Sequence, residues 1–221
     1  MLDDQPRLAE CLSRSAALHE RLCPRQVLGA RMGLYAGELL ELQLPRADKR
    51  LFTFIETDGC LADGLSAATG CWFGRRTLRL IDFGKVAATF VDTQNGRAVR
   101  ICPHPDVRDR ASVYAPEAPS HWHAQRDAYQ CMPSHELLRA SLVELLVPLN
   151  AILAQDAMRV VCVVCSEEIS NGRQVDREGR PMCRECAGES YVRRHEHPIW
   201  KHPLSVHMPF TAVPAHSSRP Y

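Results

Sequence analysis

The sequence predicts an α+β protein, with a core domain of helices packed on a mainly antiparallel sheet and a small metal-binding module behind it. Two observations carry this. Helical apolar spacing lies before and after a run of alternating, β-branched segments, not in strict alternation with them as a doubly wound sheet requires. The ten cysteines also fall into separate populations, with four paired near the C-terminus and others scattered upstream. The boundaries follow as 1–157 for the core, 158–194 for the module and 195–221 for a tail rich in proline and histidine, which cannot bury enough surface to fold alone.

The elements follow in order. Leu8, Cys11, Leu12, Ala16 and Leu22 recur at roughly helical spacing over 7–21. Pro24 interrupts that helix and, as a first-turn residue, opens a second over 26–42. This stretch, QVLGARMGLYAGELLEL, is apolar with small residues interleaved, so another element can approach it closely. Residues 51–57 (LFTFIET) read as a strand, and 62–69 as a short helix ending near Gly70. Strands over 77–82 and 85–92 are expected to join through a tight turn at Gly84. Asn95-Gly96 signals a hairpin, with 98–101 as the returning strand. Ser134 is placed as the N-cap of HELLRA, and 141–147 reads as either a strand or a continued helix.

Bulk properties exclude several classes. The 221 residues carry a net charge of +1, which offers no general attraction to nucleic acid or membrane surfaces. The longest apolar region, 137–154, contains Arg139 and Glu144, so it is not a membrane span. MLDDQPRLAE lacks the order of a secretory signal. A cytoplasmic setting is therefore expected, with the cysteines as thiols and metal ligands and not as a disulfide framework.

Cys162 and Cys165 in CVVC, a 17-residue spacer, then Cys183 and Cys186 in CREC can bring four thiolates into a tetrahedron around one structural zinc. Asn171-Gly172 and Glu178-Gly179 between the pairs suit hairpin turns. The segment after Cys183 can start a helix, the layout of a treble clef or zinc ribbon. Basic residues in the module, such as Arg173, Arg177, Arg180 and Arg184, are offset by acids such as Glu167, Glu168, Asp176 and Glu178. That balance favours a structural or protein-contact role over nucleic-acid binding.

The upstream polar residues form a second constellation. His19 and Cys23 are spaced to share a face if one helix carries both. An imidazole there can activate the thiol, or both groups can ligate a soft metal. Cys60 and Asp63 lie at a strand-to-helix junction, Cys71 follows Gly70, and Lys85 follows the turn in DFGK. His121 and His123 share a side only on a strand, and His104 lies in a proline-bound loop. The tail histidines are too irregularly spaced for a dedicated site.

These segments, LHERLCP with VLGARMGL, ETDGCLADGLSAATGCWFG, and LIDFGKVAATF with NGRAVRI, closely resemble the FmdE family, whose name comes from formylmethanofuran dehydrogenase. The resemblance runs over about 17–103 and resumes at the cysteine pairs, since many members carry a C-terminal treble-clef zinc finger. It implies an α+β core, a homodimer, and a cleft that gathers His19, Cys23, Cys60, Asp63, Cys71 and Lys85. It also implies association with a molybdenum or tungsten enzyme without carrying that enzyme's cofactor chemistry. The family's second histidine is Arg21 here and its tyrosine before the Gly-Lys pair is Phe83. Three readings stay open: an accessory protein holding a second metal or small ligand in the cleft, an enzyme using Cys23 with Lys85, or a zinc-finger interaction protein whose upstream pocket is vestigial.

Overall fold

A computed structural model describes residues 5–18, 21–154 and 158–193. Contacts divide the chain after Leu146 into two compact units.

The first unit holds helices α1 (Gln5–Ala16), α2 (Pro24–Leu40), α3 (Cys60–Thr69), α4 (Val107–Tyr114), α5 (His121–Cys131) and the single turn α6 (Ser134–Leu137). Its strands are β1 (Leu51–Ile55), β2 (Leu78–Leu80), β3 (Ala88–Asp92), β4 (Ala98–Pro103) and β5 (Leu138–Leu142), in the spatial order β2-β1-β3-β4-β5. Only β1 and β2 are parallel, so the sheet is mixed and mostly antiparallel. Leu51, Ile55, Ala88, Phe90, Val99 and Ile101 from the strands join one core with α1, α2, α3 and α5.

The packing of α2 on α3 is unusually close because glycines line it. A Cβ at Gly29 would lie 2.4 Å from the Leu61 carbonyl oxygen, and one at Gly64 would lie 2.1 Å from that of Gln26. Farther along, a Cβ at Gly33 would meet the Ala68 side chain at 2.7 Å. Contacts advance together along both helices, from Gln26 with Gly64 to Gly33 with Ala68, so the two run parallel with their starts at one end.

Several sequence expectations are corrected. Residues 77–82 and 85–92 do not form a hairpin, because β1 lies between β2 and β3. The connection instead folds over the end of β1. Ile81 N–H donates to Ile55 O at 2.8 Å, and Phe83 and Lys85 N–H both donate to Glu56 O at 3.0 and 3.1 Å. HELLRA gives one helical turn and then β5, so 141–147 continues neither as a helix nor as a long strand. Ser134 does not cap α6. Its hydroxyl accepts from Arg31, 3.2 Å away. Asn95-Gly96 does turn β3 into β4, with Gly96 at φ 74°. Pro24 opens α2 as expected, at its first position.

An apolar helix such as α2 needs burial on more sides than one small sheet covers. The chain supplies that burial itself, with twelve α2 residues buried against neighbouring elements.

The second unit contains α7 (Leu149–Ala154), the antiparallel pair β6 (Arg159–Val161) and β7 (Glu168–Ser170), and the hairpin β8 (Val175–Arg177) and β9 (Arg180–Met182). Glu178-Gly179 makes the β8–β9 turn with both residues at positive φ, as a two-residue hairpin loop favours. Instead of a regular helix after Cys183, the chain makes one π-helical turn, Glu185–Glu189. The tail lies outside the described residues.

Gly64→Ala tests the helix contact. Better helix propensity contributes about 1 kcal/mol. The added Cβ meets backbone that cannot swing aside, at a cost of about 3 kcal/mol or more. Thermal unfolding should fall by several degrees. Gly74→Ala, with open space around its Cβ, should leave Tm unchanged.

Candidate metal centre and thiol pair

The paired cysteines of the second unit converge. Each Sγ of Cys162, Cys165, Cys183 and Cys186 lies within 4.8 Å of the others. Zinc–sulfur bonds of about 2.3 Å in a tetrahedron separate the sulfurs by about 3.8 Å. The Cys165 and Cys183 sulfurs are 3.9 Å apart. Two hairpins build this geometry. Cys162 leaves β6 and donates its N–H to Glu167 O at 2.9 Å, while Ser166 turns the chain back at φ 62°. Val163 N–H donates to Pro181 O at 3.0 Å, tying this knuckle to β9, which delivers Cys183.

The electrostatics suit a cation. Cys183 N–H donates to Cys162 Sγ and Cys186 N–H to Cys183 Sγ, both at 3.3 Å. Backbone N–H groups of Cys165 and Cys183 draw the Cys162 thiol down to about 6. The neighbouring Cys183 sulfur pushes Cys186 up to about 12, ahead of burial. Four crowded sulfurs cannot all ionise beside one another, and a divalent cation removes that conflict. Apart from this cluster, Ile169 is the buried apolar residue of the unit among those described. The donor set and spacing therefore fit a metal ion.

In the first unit the structure brings Cys23 and Cys60 together. Cys23 is the N-cap of α2 and Cys60 the first residue of α3. Because those helices run parallel from a common end, the thiols are neighbours, near enough for the Cys60 sulfur to act on the Cys23 thiol. Gln26 fixes Cys23 from within α2: its Oε1 accepts from Cys23 N–H at 2.7 Å, and its Nε2 donates to Ser15 O and Oγ, both at 3.0 Å. Burial pushes the Cys23 thiol up to about 11, and the Cys60 sulfur adds to the rise. Hydrogen bonds from the Gln26 and Arg25 backbone act the other way and lose.

Cys23 is extended at φ −116° and precedes α2 as its N-cap; His19 lies outside the described residues. Asp63 is half-buried in the first turn of α3. Cys71 sits beyond the opposite end of α3, about 15 Å along the helix by its rise. It is buried in the core, where its Sγ donates to Leu51 O at 3.4 Å and faces the hydroxyls of Thr53, Thr69 and Thr77. Lys85 is exposed, with its amine 5.8 Å from the Phe83 ring centre. The sequence allows an activated Cys23 thiol; burial raises it instead. His121 and His123 open α5, a helix, where they diverge.

Sequence reasoning missed a partly buried ion pair beside this region. Glu56 accepts two hydrogen bonds from Arg100, at 2.6 and 2.7 Å. Period-two placement of Glu56 after β1 and Arg100 within β4 was the available signal, but their partnership across β3 needs the strand order.

Comparison with known proteins agrees with this architecture. A family model described as "FmdE, Molybdenum formylmethanofuran dehydrogenase operon" matches residues 18–140, more than half of the chain. A relative from Archaeoglobus fulgidus, described as a probable S-adenosyl-L-methionine-binding protein, is 33% identical over 100 residues. That match covers 44% of this chain and 27% of the relative's length. A crystal structure of a tungsten formylmethanofuran dehydrogenase FmdE-like protein from Syntrophus aciditrophicus superposes with a TM-score of 0.55 at 19% identity, over 84% of this chain and 94% of that one. Its likeness bears on the fold. With the α+β core, the motifs at the starts of α2 and α3, and the family match spanning both, the chain belongs to the FmdE family.

Proposed function

We propose that this protein is a metal-binding accessory protein of a molybdenum or tungsten enzyme system, with two metal-holding places of different purpose. The four-cysteine cluster holds zinc and keeps a treble-clef-like module folded. Cys23 and Cys60 hold a second, soft metal in the cleft, with His19 and Asp63 as further candidate ligands. The observation that carries the second site is the meeting of two thiols at the starts of two parallel helices. Helix starts favour negative charge, and thiolate ligands are soft. The family's connection to a molybdenum enzyme operon supports the accessory role. S-adenosyl-L-methionine, named for the Archaeoglobus relative, does not enter this reading, because most of that relative lies outside the match.

The raised Cys23 thiol weighs against the enzyme reading. A thiol near 11 is thiolate in roughly one molecule in ten thousand at pH 7. Such a group is a poor free nucleophile and a serviceable ligand, since a bound cation displaces its proton. No described helix is long and apolar enough to cross a membrane.

Metal counting tests both sites. Purified protein loaded with zinc should hold two ions per chain. Cys162→Ser should remove one and make the region from about residue 159 onward sensitive to protease, because structural zinc supplies much of a small module's folding free energy. Retention of full zinc with normal proteolysis would refute the structural role.

The double variant C23S/C60S should remove the other ion and leave the module intact. Cys23 in stripped protein should react slowly with iodoacetamide at pH 8 and faster toward pH 11. Uptake at this site should weaken as pH falls, because each thiol must release a proton. Wild-type protein that binds a single zinc would end the cleft reading.

Homodimerisation belongs to the same proposal. Phe73, Ile81 and Phe83 are exposed around the edge strand β2, and a second copy would cover them. Sedimentation should show a dimer at tens of micromolar, and Phe83→Glu should shift it toward monomer.

A further inference from the structure

Beside the thiol pair, but not part of it, lies a cavity of about 210 Å³ between the start of α2, the loop before α4 and helix α5. Leu28 and Val86 give it an apolar lining, and Arg25, His104, Arg108 and Tyr129 supply its polar groups. The arginines come from different elements, Arg25 from the first turn of α2 and Arg108 from α4. Neither has a carboxylate partner among the described residues. Several other arginines of this unit are paired, as Arg50 is with Asp92, Arg100 with Glu56, and Arg110 with Glu136.

The rest of the rim is held in place. His104 binds Asp106 through Nδ1, which leaves Nε2 as its remaining polar atom. Tyr129 is 1% exposed, and its hydroxyl meets Gln125 Oε1 at 3.3 Å. Arg108 is near enough to act on that hydroxyl electrostatically. Arg31 fixes the end of α5 from below by donating to Tyr129 O at 2.9 Å and Met132 O at 2.7 Å.

We infer that this cavity binds a small carboxylate with a short hydrocarbon body. Two cations without carboxylate partners attract an anion, and guanidinium groups pair with carboxylate through parallel hydrogen bonds. The apolar lining takes the carbon chain. The volume is below the roughly 300 Å³ at which pockets begin to hold drug-sized ligands, so a nucleotide does not fit. The site is independent of metal at Cys23 and Cys60, and its failure would not touch that reading.

Butyrate is the probe, with butylammonium and inorganic phosphate as comparators, in calorimetry on the full chain and by NMR of the His104 ring. Butyrate should bind saturably and shift the His104 signals, and added salt should weaken it. R25Q/R108Q should weaken binding about tenfold or more, as expected when hydrogen bonds to a charged group are removed. Both positions are exposed, so the variant should fold, which its Tm will verify. R25K/R108K should restore part of the affinity. The proposal is overturned if butyrate does not bind, if butylammonium binds equally, or if R25Q/R108Q loses nothing. Phosphate binding as tight as butyrate would also overturn it, because the hydrocarbon lining would then contribute no selectivity.

Discussion

The close parallel contact between α2 and α3 is the constraint on which the first unit depends. Gly29 and Gly64 let backbone meet backbone where any side chain would force the helices apart. Two effects follow. The buried area between two short helices is concentrated at the centre of the core. The starts of both helices also come to one place, and their first residues with them. Cys23 and Cys60 are 37 positions apart in sequence and adjacent in space because of glycines several residues farther along each helix. The geometry of the thiol pair is therefore set by residues that never touch it.

Two opposing forces act on those thiols. The aligned peptide dipoles and free N–H groups at both helix starts favour a negative sulfur. Burial and the second sulfur oppose it, and for Cys23 opposition prevails. On the proposed metal-holding reading, a cation would displace the proton and the same N–H groups would stabilise the resulting thiolate. The four-cysteine cluster resolves the same conflict differently. Backbone donors there already draw one of the sulfurs, Cys162, toward thiolate.

Much of this was legible in the sequence. The CxxC pairs announced their cluster by spacing alone, and Pro24, Gly70 and Asn95-Gly96 marked boundaries through fixed local chemistry. What was not legible depended on partners distant in the chain. Residues 77–92 contain strand-like segments on either side of a good turn, and local chemistry predicts a hairpin. That β1 separates β2 from β3 is decided by the crossover through α3, which makes β2 parallel to β1. HELLRA satisfies a helix start, yet β4 offers an edge from Val99 to Pro103 that captures Leu138 onward as strand. Cys71 has the look of a site residue because it follows a glycine turn, while its neighbours are core threonines on three other segments.

The DFGK run shows how a motif can serve a site without entering it. Gly84 takes a positive φ, and its N–H donates to Asp82 Oδ1 at 3.1 Å, which closes a tight polar turn. That turn aims the Phe83 and Lys85 N–H groups at one oxygen, Glu56 O. The Glu56 side chain is held at the same time by Arg100. Glu56 is thus clamped through both its backbone and its carboxylate, four residues before Cys60. The chain leaving β1 can then turn into α3 at a fixed point, and Gly59 at φ 79° makes the bend. On this physical account the Asp82 carboxylate and Gly84 shape the turn, and the Phe83 and Lys85 N–H groups anchor the approach to Cys60. The lysine amine is left at the surface against Phe83.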